Sequence, residues 1–313
     1  MSSLGANVSV STPKRDPLVW DDWHPVAGMA TLPIGRIRTT MLLDVPIAIA
    51  RLDANDIAVW TDPGGRCRNN APFERIAIGS QRPVIVRYGH VWTSLGEPAR
   101  PLFAIPEADE PDRRPCDPGS IGVHTGGLRA IENFLDLAHF PFVHTGILGA
   151  EPDTAVLDYN VAVTADNEVL ATECRFVQPQ AALNASGAID VRYIYRVPRP
   201  YIAILYKTCP PQPNRSDVIA LFVQPVTEVR CIAHQWLCML DTTSTDTALR
   251  QFQLTIFGQD KPILENHMEQ RLPLDPRAEM PVRADATSAA YRRWLAQLGL
   301  RYGTIPRAGE AQQ

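Results

Sequence analysis

No Cys-x-x-Cys or Cys-x-His pair occurs in this sequence, although it contains six cysteines, at positions 67, 116, 174, 209, 231 and 238. Such pairs are the usual ligands of structural zinc ions and of iron–sulfur clusters, and their absence argues against both. The first 16 residues contain no apolar stretch of the secretory type, and no apolar run reaches the roughly 20 residues of a membrane-spanning helix. We therefore expect a cytoplasmic protein with free thiols.

The sequence also lacks an excess of basic residues. Its 313 residues include 30 Lys and Arg against 34 Asp and Glu, which gives a net charge of −4. Proteins that bind nucleic acid need surplus positive charge to face the phosphates, so nucleic acid is not an expected partner. A hydrophobic fraction of 45% and a charged fraction of 20% exclude a disordered chain and indicate a buried core.

The first third of the chain contains little helical periodicity. Residues 1–16 are polar and are predicted to form a flexible tail. From residue 17 to residue 118, β-branched runs such as MLLDVPIAIARL and DIAVWTD predict a small β domain. Residues 106–120 are rich in proline and charge, and they predict a linker.

The rest of the chain, residues 119–313, mixes helices with consecutive strands. In GGLRAIENFLDLAHF, the apolar residues Ile131, Phe134 and Leu135 recur at helical spacing. At least four strand-like segments joined by short turns follow, and TALRQFQLTIFGQDKPILENHMEQ and ATSAAYRRWLAQLG have helical patterns. This order predicts an α+β protein in which helices pack on one face of an antiparallel sheet.

The segment ENFLDLAHFPFVH, residues 132–144, contains the residues best suited to bind a metal ion. On a straight helix His139 and His144 would point about 140° apart. Pro141 cannot continue a helix interior, so we expect the helix to end near His139 and the chain to bring His144 back. Asp136 shares the helical face of His139, where its carboxylate can accept the second ring N–H of a metal-bound imidazole. The alternative for both histidines is ordinary hydrogen bonding at a helix end.

Asp260, in FGQDKPILENHME, is the candidate third ligand. It stands two residues before Pro262, so its alternative role is that of a helix N-cap. His267 is a weaker alternative ligand. Two histidines and one carboxylate form the facial triad of non-haem Fe(II) oxygenases, which leaves three coordination positions for dioxygen, water or substrate.

These segments are similar to those of the Rieske non-haem iron oxygenases, in the branch of the vanillate demethylase-like monooxygenases. DWHPVAGMATL and TTMLLDVPIAIARLDANDIAVWTD resemble the start of the family's Rieske domain, ENFLDLAHFPFVH its iron motif, and QDKPILEN its carboxylate-bearing helix. The resemblance implies a Rieske-like β domain followed by a helix-grip catalytic domain. It implies mononuclear Fe(II) bound by His139, His144 and Asp260, with Asn133 and Asp136 as catalytic residues.

The resemblance fails at the family's [2Fe–2S] cluster, which a Cys-x-His pair and a Cys-x-x-His pair hold. The segment CRNNAPFERIAIG keeps Cys67 but has Asn69 at the histidine position. The segment VRYGHVW has Val86 and Gly89 at the positions of the second pair, with His90 one residue out of register. Four ligands cannot be assembled, so we expect a degenerate domain without a bound cluster. In that domain Cys67 would be a small packing residue and His90 a surface or loop residue.

The resemblance implies an oxygenase component that possesses no cluster of its own and receives electrons from a separate Rieske-bearing reductase. Without a cluster, the chain gains no electron route from self-association, so we expect a hetero-oligomer with an accessory or oxygenase subunit, with a homotrimer as the alternative. The implied reaction is demethylation of an N-methyl aromatic heterocycle, with 7-methylxanthine as the leading substrate and xanthine and formaldehyde as products. The alternatives are O-demethylation or ring hydroxylation of another aromatic substrate, and a non-catalytic structural subunit. In the strand CIAHQWLCML, His234 and Trp236 share a face that either lines the substrate pocket or packs in the core.

Overall fold

The computed structural model describes residues 15–54, 56–73, 80–185 and 187–307, and the structural statements below concern those residues. Residues 1–14 of the predicted tail lie outside them. Asp16 belongs to the folded part, because its side chain caps α1 (Pro17–Trp20) and accepts the backbone N–H groups of Arg301 and Tyr302 at 2.8 and 3.0 Å. The two ends of the described chain are thereby joined.

Two three-stranded antiparallel sheets form the first part of the protein. One has the order β1–β6–β5 and the other the order β2–β3–β4. Their strands are β1 (His24–Gly28), β2 (Ile37–Leu42), β3 (Val45–Arg51), β4 (Ile57–Thr61), β5 (Val84–Arg87) and β6 (His90–Thr93). The β2–β3 turn places Leu43 and Asp44 at positive φ, and their N–H groups donate to the carbonyls of Pro225 and Val226 at 2.8 and 3.0 Å. Those two bonds offset the strained turn and fasten the small sheets to the second part.

The second part is built on a seven-stranded antiparallel sheet with the order β7–β13–β12–β11–β10–β9–β8. Its strands are β7 (Arg114–Val123), β8 (Asn160–Val163), β9 (Val169–Gln178), β10 (Ile189–Arg199), β11 (Ile202–Cys209), β12 (Gln212–Thr227) and β13 (Arg230–Met239). The helices are α2 (Gly127–Leu135), α3 (Phe140–Val143), α4 (Asp246–Glu265) and α5 (Ala286–Leu298), and a short parallel pair joins β14 (Leu272–Pro273) to β15 (Thr304–Ile305). The predicted α+β class is confirmed.

The predicted linker is wrong over its second half, because β7 begins at Arg114. Pro115 and Cys116 pair with Cys238 and Leu237 of β13. Since β7 is an edge strand of the sheet, its prolines remove no ladder bond from a second neighbour, and a proline-rich sequence can still form a strand there. The domain boundary predicted after residue 118 falls inside this strand, and we propose that it lies before Arg114.

Aromatic side chains fill the contact between the two parts. Phe222 lies on the outer face of the large sheet, with its ring centroid 5.0 Å from that of Trp92 and 6.3 Å from that of Trp236. Trp236 therefore packs in the core and does not line the substrate pocket. His234 lies on the same outer face of the sheet and also does not line the pocket. Its Nδ1 lies 2.7 Å from Ser120 Oγ, and its Nε2 lies 3.1 Å from Gln224 Oε1. Burial lowers the pKa of His234 well below its usual value, so the ring is neutral.

The expectation that His90 lies at the surface or in a loop is wrong. Tyr88 and Gly89 form a two-residue turn with positive φ, and β6 starts immediately after them. This turn directs His90 inward, where it is fully buried beside His234 with ring centroids 5.4 Å apart. Cys67 is half-buried and packs with the cluster around Trp60, as predicted for a small packing residue.

All six cysteines are unpaired. Among the described residues, no helix combines the length and the apolar character needed to cross a membrane.

We expect Phe222→Ala to lower the free energy of unfolding by about 3–5 kcal/mol, because it removes a fully buried ring between the two parts. Urea unfolding measures this loss. Val177→Ala, on the exposed side of β9, is the matched control and should change the free energy by less than about 0.5 kcal/mol. A loss below about 1 kcal/mol for Phe222→Ala would show that the aromatic contact does not stabilise the protein.

Candidate metal centre

The chain changes direction between α2 and α3 because Asp136 ends α2. Its Oδ1 accepts the N–H of Ala138 at 2.9 Å, which closes a side-chain turn in place of the next helical bond. The predicted helix end near His139 is therefore wrong by four residues, since α2 stops at Leu135. Pro141 lies in the first turn of α3, where its missing N–H costs nothing.

This arrangement places one histidine at each end of α3. His139 precedes the helix, His144 follows it, and their Nε2 atoms lie 3.1 Å apart. Oδ1 of Asp260 lies 3.4 Å from Nε2 of His139 and 3.1 Å from Nε2 of His144. Ligand atoms about 2.1 Å from an ion and at right angles to one another are about 3 Å apart. The three atoms thus have the spacing of one face of an octahedron.

Asp260 reaches this point from the C-terminal third of α4, which runs without interruption from Asp246 to Glu265. The N-cap of α4 is Thr245, so the capping alternative for Asp260 is wrong. Pro262 is tolerated inside the helix because the carbonyl that loses its partner is that of Gly258, and Gly258 is exposed to water. His267 lies beyond the end of α4, away from the three converging atoms.

The described donor atoms fit a divalent cation. Oδ1 of Asp260 is buried and faces Nε2 of His139 and His144 without hydrogen-bond geometry to either, an arrangement that a cation between the three atoms would stabilise. Two imidazoles and one carboxylate, with open positions opposite them, are the donor set that suits non-haem iron. Within the described ranges, this is the one group of three or more such side chains with metal-binding geometry.

The Nδ1 atom of each histidine, on the side of the ring away from the site, forms a hydrogen bond that orients the ring. His139 Nδ1 lies 3.0 Å from Oδ2 of Asp136, and His144 Nδ1 lies 2.8 Å from Oε1 of Gln259. Because these partners are acceptors, each Nδ1 carries a hydrogen, which leaves each Nε2 as the ring atom that can bind a metal ion. Sequence reasoning missed Gln259. No signal within the sequence points to it, because its contact with His144 joins two segments that are 115 residues apart.

The electrostatics of the site favour a cation. Burial lowers the pKa of His139, but Asp136 and Asp260 outweigh that effect and raise it to about 9. Burial raises the pKa of Asp260, but the facing imidazoles of His139 and His144 outweigh that effect and lower it to about 2. Two ionised carboxylates thus flank one protonated imidazole, and a bound metal ion replaces the proton on His139.

A cavity separates the centre from the large sheet, and Asn133 from the last turn of α2 lines it together with the three donor residues. Most of its walls are apolar. They include Leu205, Ile219, Leu221 and Leu237 from the sheet, and Phe252 and Ile256 from α4. Such a space suits a flat, largely apolar molecule placed against the three donor atoms.

Comparison with known proteins agrees with this geometry. A family model described as the vanillate O-demethylase oxygenase C-terminal domain matches residues 123–301. The chain belongs to this family of Rieske-type oxygenases. The family and the enzyme class expected from the sequence are confirmed.

Several members of the family are similar to this chain along most of its length. The probable methylxanthine N7-demethylase NdmC of Pseudomonas sp. (strain TJI-51) is 48% identical over 291 residues, which cover 93% of this chain and 98% of that protein. The methylxanthine N1-demethylase NdmA of Pseudomonas putida is 23% identical over 73% of this chain and 64% of its own.

Solved structures show the same fold. The structure of Pseudomonas putida CBB5 NdmA with caffeine matches with a TM-score of 0.71 and 20% identity, over 90% of this chain and 91% of that one. Dicamba monooxygenase bound to 3,6-dichlorosalicylic acid matches with a TM-score of 0.68 and 18% identity, over 90% and 97% of the two chains.

In this Rieske-type oxygenase, the residues at the family's cluster positions have other contacts. Cys67 packs beside Trp60, and Oδ1 of Asn69 accepts the N–H of Thr39 at 3.3 Å. The tight turn at Gly89 replaces the second ligand loop, and Val86 is an exposed strand residue.

We expect His139→Ala, His144→Ala and Asp260→Ala each to lose most bound iron, because two remaining donors no longer form a facial site. Iron is measured by elemental analysis after anaerobic loading, with the exposed Glu173→Ala as control. The unchanged protein should bind about one iron per chain and show no visible iron–sulfur bands. Full iron content in Asp260→Ala would remove Asp260 from the ligand set.

We expect Gln259→Leu to weaken metal binding by about 10–100-fold, because His144 loses the acceptor that orients its ring. Titration with Co²⁺ under anaerobic conditions measures the affinity. Gln251→Leu, an exposed change of the same kind on the same helix, should leave the affinity unaltered. Equal affinities for both variants would contradict the orienting role of Gln259.

Proposed function

We propose that this oxygenase component uses Fe(II) to remove the methyl group from N7 of 7-methylxanthine, with xanthine and formaldehyde as products. The observation that carries the proposal is the convergence of His139, His144 and Asp260 on the wall of an apolar cavity. The proposal is supported by 48% identity to a relative named as a probable methylxanthine N7-demethylase. A purine ring has the flat shape that the cavity suits.

The proposed reaction divides the work between the metal ion and the chain. Fe(II) bound by the triad supplies the redox chemistry that activates dioxygen. Overall, one dioxygen, two electrons and two protons convert the N-methyl group into an N–CH₂OH group and water. The N–C bond of that carbinolamine then breaks, the hydroxyl proton passes to the ring nitrogen, and formaldehyde leaves.

The residues around the cavity exclude water and hold the ring in place. Phe134 stands edge to face with Tyr195 at 5.8 Å, and both line the cavity. Burial raises the pKa of Tyr193 and Tyr195 above the usual phenol value, so both phenols are neutral. We assign to Asn133 a direct contact with substrate or dioxygen, because it lines the cavity beside His139.

We propose that electrons come from a separate Rieske-bearing reductase, alone or with a further subunit in a hetero-oligomer. The contacts of Cys67, Asn69 and His90 support an external donor. Asp136 also lines a second cavity on the far side of His139 and is partly exposed, with 29% of its side chain accessible. We therefore assign to Asp136 the positioning of His139 and the contact with the docked donor. A cytoplasmic location is supported by the six unpaired cysteines.

The alternative of a non-catalytic subunit does not explain the site. A structural subunit has no use for a buried carboxylate oxygen that lacks a hydrogen-bond partner. It also has no use for two imidazoles that Asp136 and Gln259 orient towards that oxygen. The metal-binding arrangement therefore favours catalysis.

We expect the iron-loaded protein, supplied with NADH and a Rieske-bearing reductase, to release one formaldehyde for each xanthine formed from 7-methylxanthine. The assay panel contains the other monomethylxanthines, caffeine and a methoxybenzoate. A reductase without a Rieske centre should support no turnover, and neither should Asp260→Ala. Formaldehyde from the methoxybenzoate alone would overturn the substrate class, and turnover with the simple reductase would overturn the electron route.

A further inference from the structure

Gln235 has an unusual environment for a buried amide. It lies on β13, is 2% exposed, and lines the same cavity as the three metal-binding candidates. Neither its Nε2 nor its Oε1 has a hydrogen-bond partner.

Several other polar side chains of the cavity have partners within the chain, whereas Oδ1 of Asn184 has none. Asp217 accepts the N–H of Leu240 at 2.7 Å, and Asp241 accepts the N–H groups of Thr243 and Ser244. Gln224, on the outer face of the sheet, donates to Met41 and faces His234. Among the described side chains, Gln235 alone has both a nitrogen and an oxygen that are buried and without a partner.

The strand register explains why the sheet does not satisfy this amide. Gln235 pairs with Leu221 of β12, and Leu237 is the next residue on the same face of β13. Both neighbours are aliphatic and offer no polar atom. A buried donor and a buried acceptor that the protein itself leaves unpaired are complementary to a ligand that carries both groups.

We propose that Gln235 selects the substrate by its lactam edge, the ring C=O next to an unsubstituted ring N–H. Nε2 donates to the ring carbonyl and Oε1 accepts the ring N–H, so that two parallel hydrogen bonds hold the heterocycle. This proposal rests on the proposed function and adds which edge of the ring faces the sheet. The bound edge is the one with C2=O and N3–H, which lies across the ring system from N7, so the N-methyl group is turned towards His139, His144 and Asp260.

The proposal predicts selection against extra methyl groups. A ring nitrogen that carries a methyl group has no proton for Oε1, and its methyl group occupies the place of the hydrogen bond. A site built on paired polar contacts discriminates strongly against an analogue that lacks one partner. The oxygenase therefore prefers 7-methylxanthine, which keeps an unsubstituted lactam edge, over caffeine, which does not.

The test is calorimetric binding to the iron-loaded protein without reductase, under anaerobic conditions that prevent turnover. The variant is Gln235→Met, which preserves the shape of the side chain and removes both polar atoms. We expect the unchanged protein to bind 7-methylxanthine at least about tenfold more tightly than caffeine. Gln235→Met should weaken binding of 7-methylxanthine by about 10–100-fold and alter binding of caffeine by less than about threefold.

The control is Gln253→Met, a matching change on the α4 wall of the same cavity. It should alter the binding of both ligands by the same factor. An unchanged preference in Gln235→Met, or equal binding of the two ligands by the unchanged protein, overturns the role of Gln235. Failure of the unchanged protein to bind any methylxanthine overturns the proposed function instead. Metal content and thermal unfolding of both variants verify that the site and the fold remain intact.

Discussion

The arrangement of the metal centre depends on the carboxylate of Asp136. One oxygen accepts the N–H of Ala138 and ends α2, and the other accepts Nδ1–H of His139. A single side chain therefore sets both the direction of the backbone and the tautomer of the first imidazole. The short helix α3 then carries His144 back to within 3.1 Å of His139, which a continuous helix could not do.

The two small sheets of the first part remain firmly attached to the large sheet. The strained turn at Leu43 and Asp44 bonds to β12, and Phe222 contacts aromatic rings from both parts. His90, which the turn at Gly89 directs inward, belongs to the same contact. These interactions support the sheet whose inner face lines the cavity, so the first part stabilises one wall of the candidate site.

Local motifs predicted much of this architecture, and long-range contacts limited the rest. The strands, the main helices and the grouping of His139 with His144 follow from periodicity and from residues close in sequence. Prolines did not predict helix boundaries reliably. A proline can end a helix, but Pro141 lies in the first turn of α3 and Pro262 lies inside α4. The contacts of Gln259 join α4 to α3, and no pattern within either segment encodes that contact.

The unpaired polar atoms of the cavity distinguish a functional site from an ordinary core. Burying Asp260 Oδ1 and the amide of Gln235 without partners costs free energy that folding alone does not return. Each has a distinct counterpart in the proposed reaction, a divalent cation for the carboxylate and a lactam edge for the amide. The two groups lie on opposite walls, Asp260 on α4 and Gln235 on β13. A flat ring held between them presents one edge to the sheet and the other to the metal, so the positions of both groups would together determine which methyl group reacts.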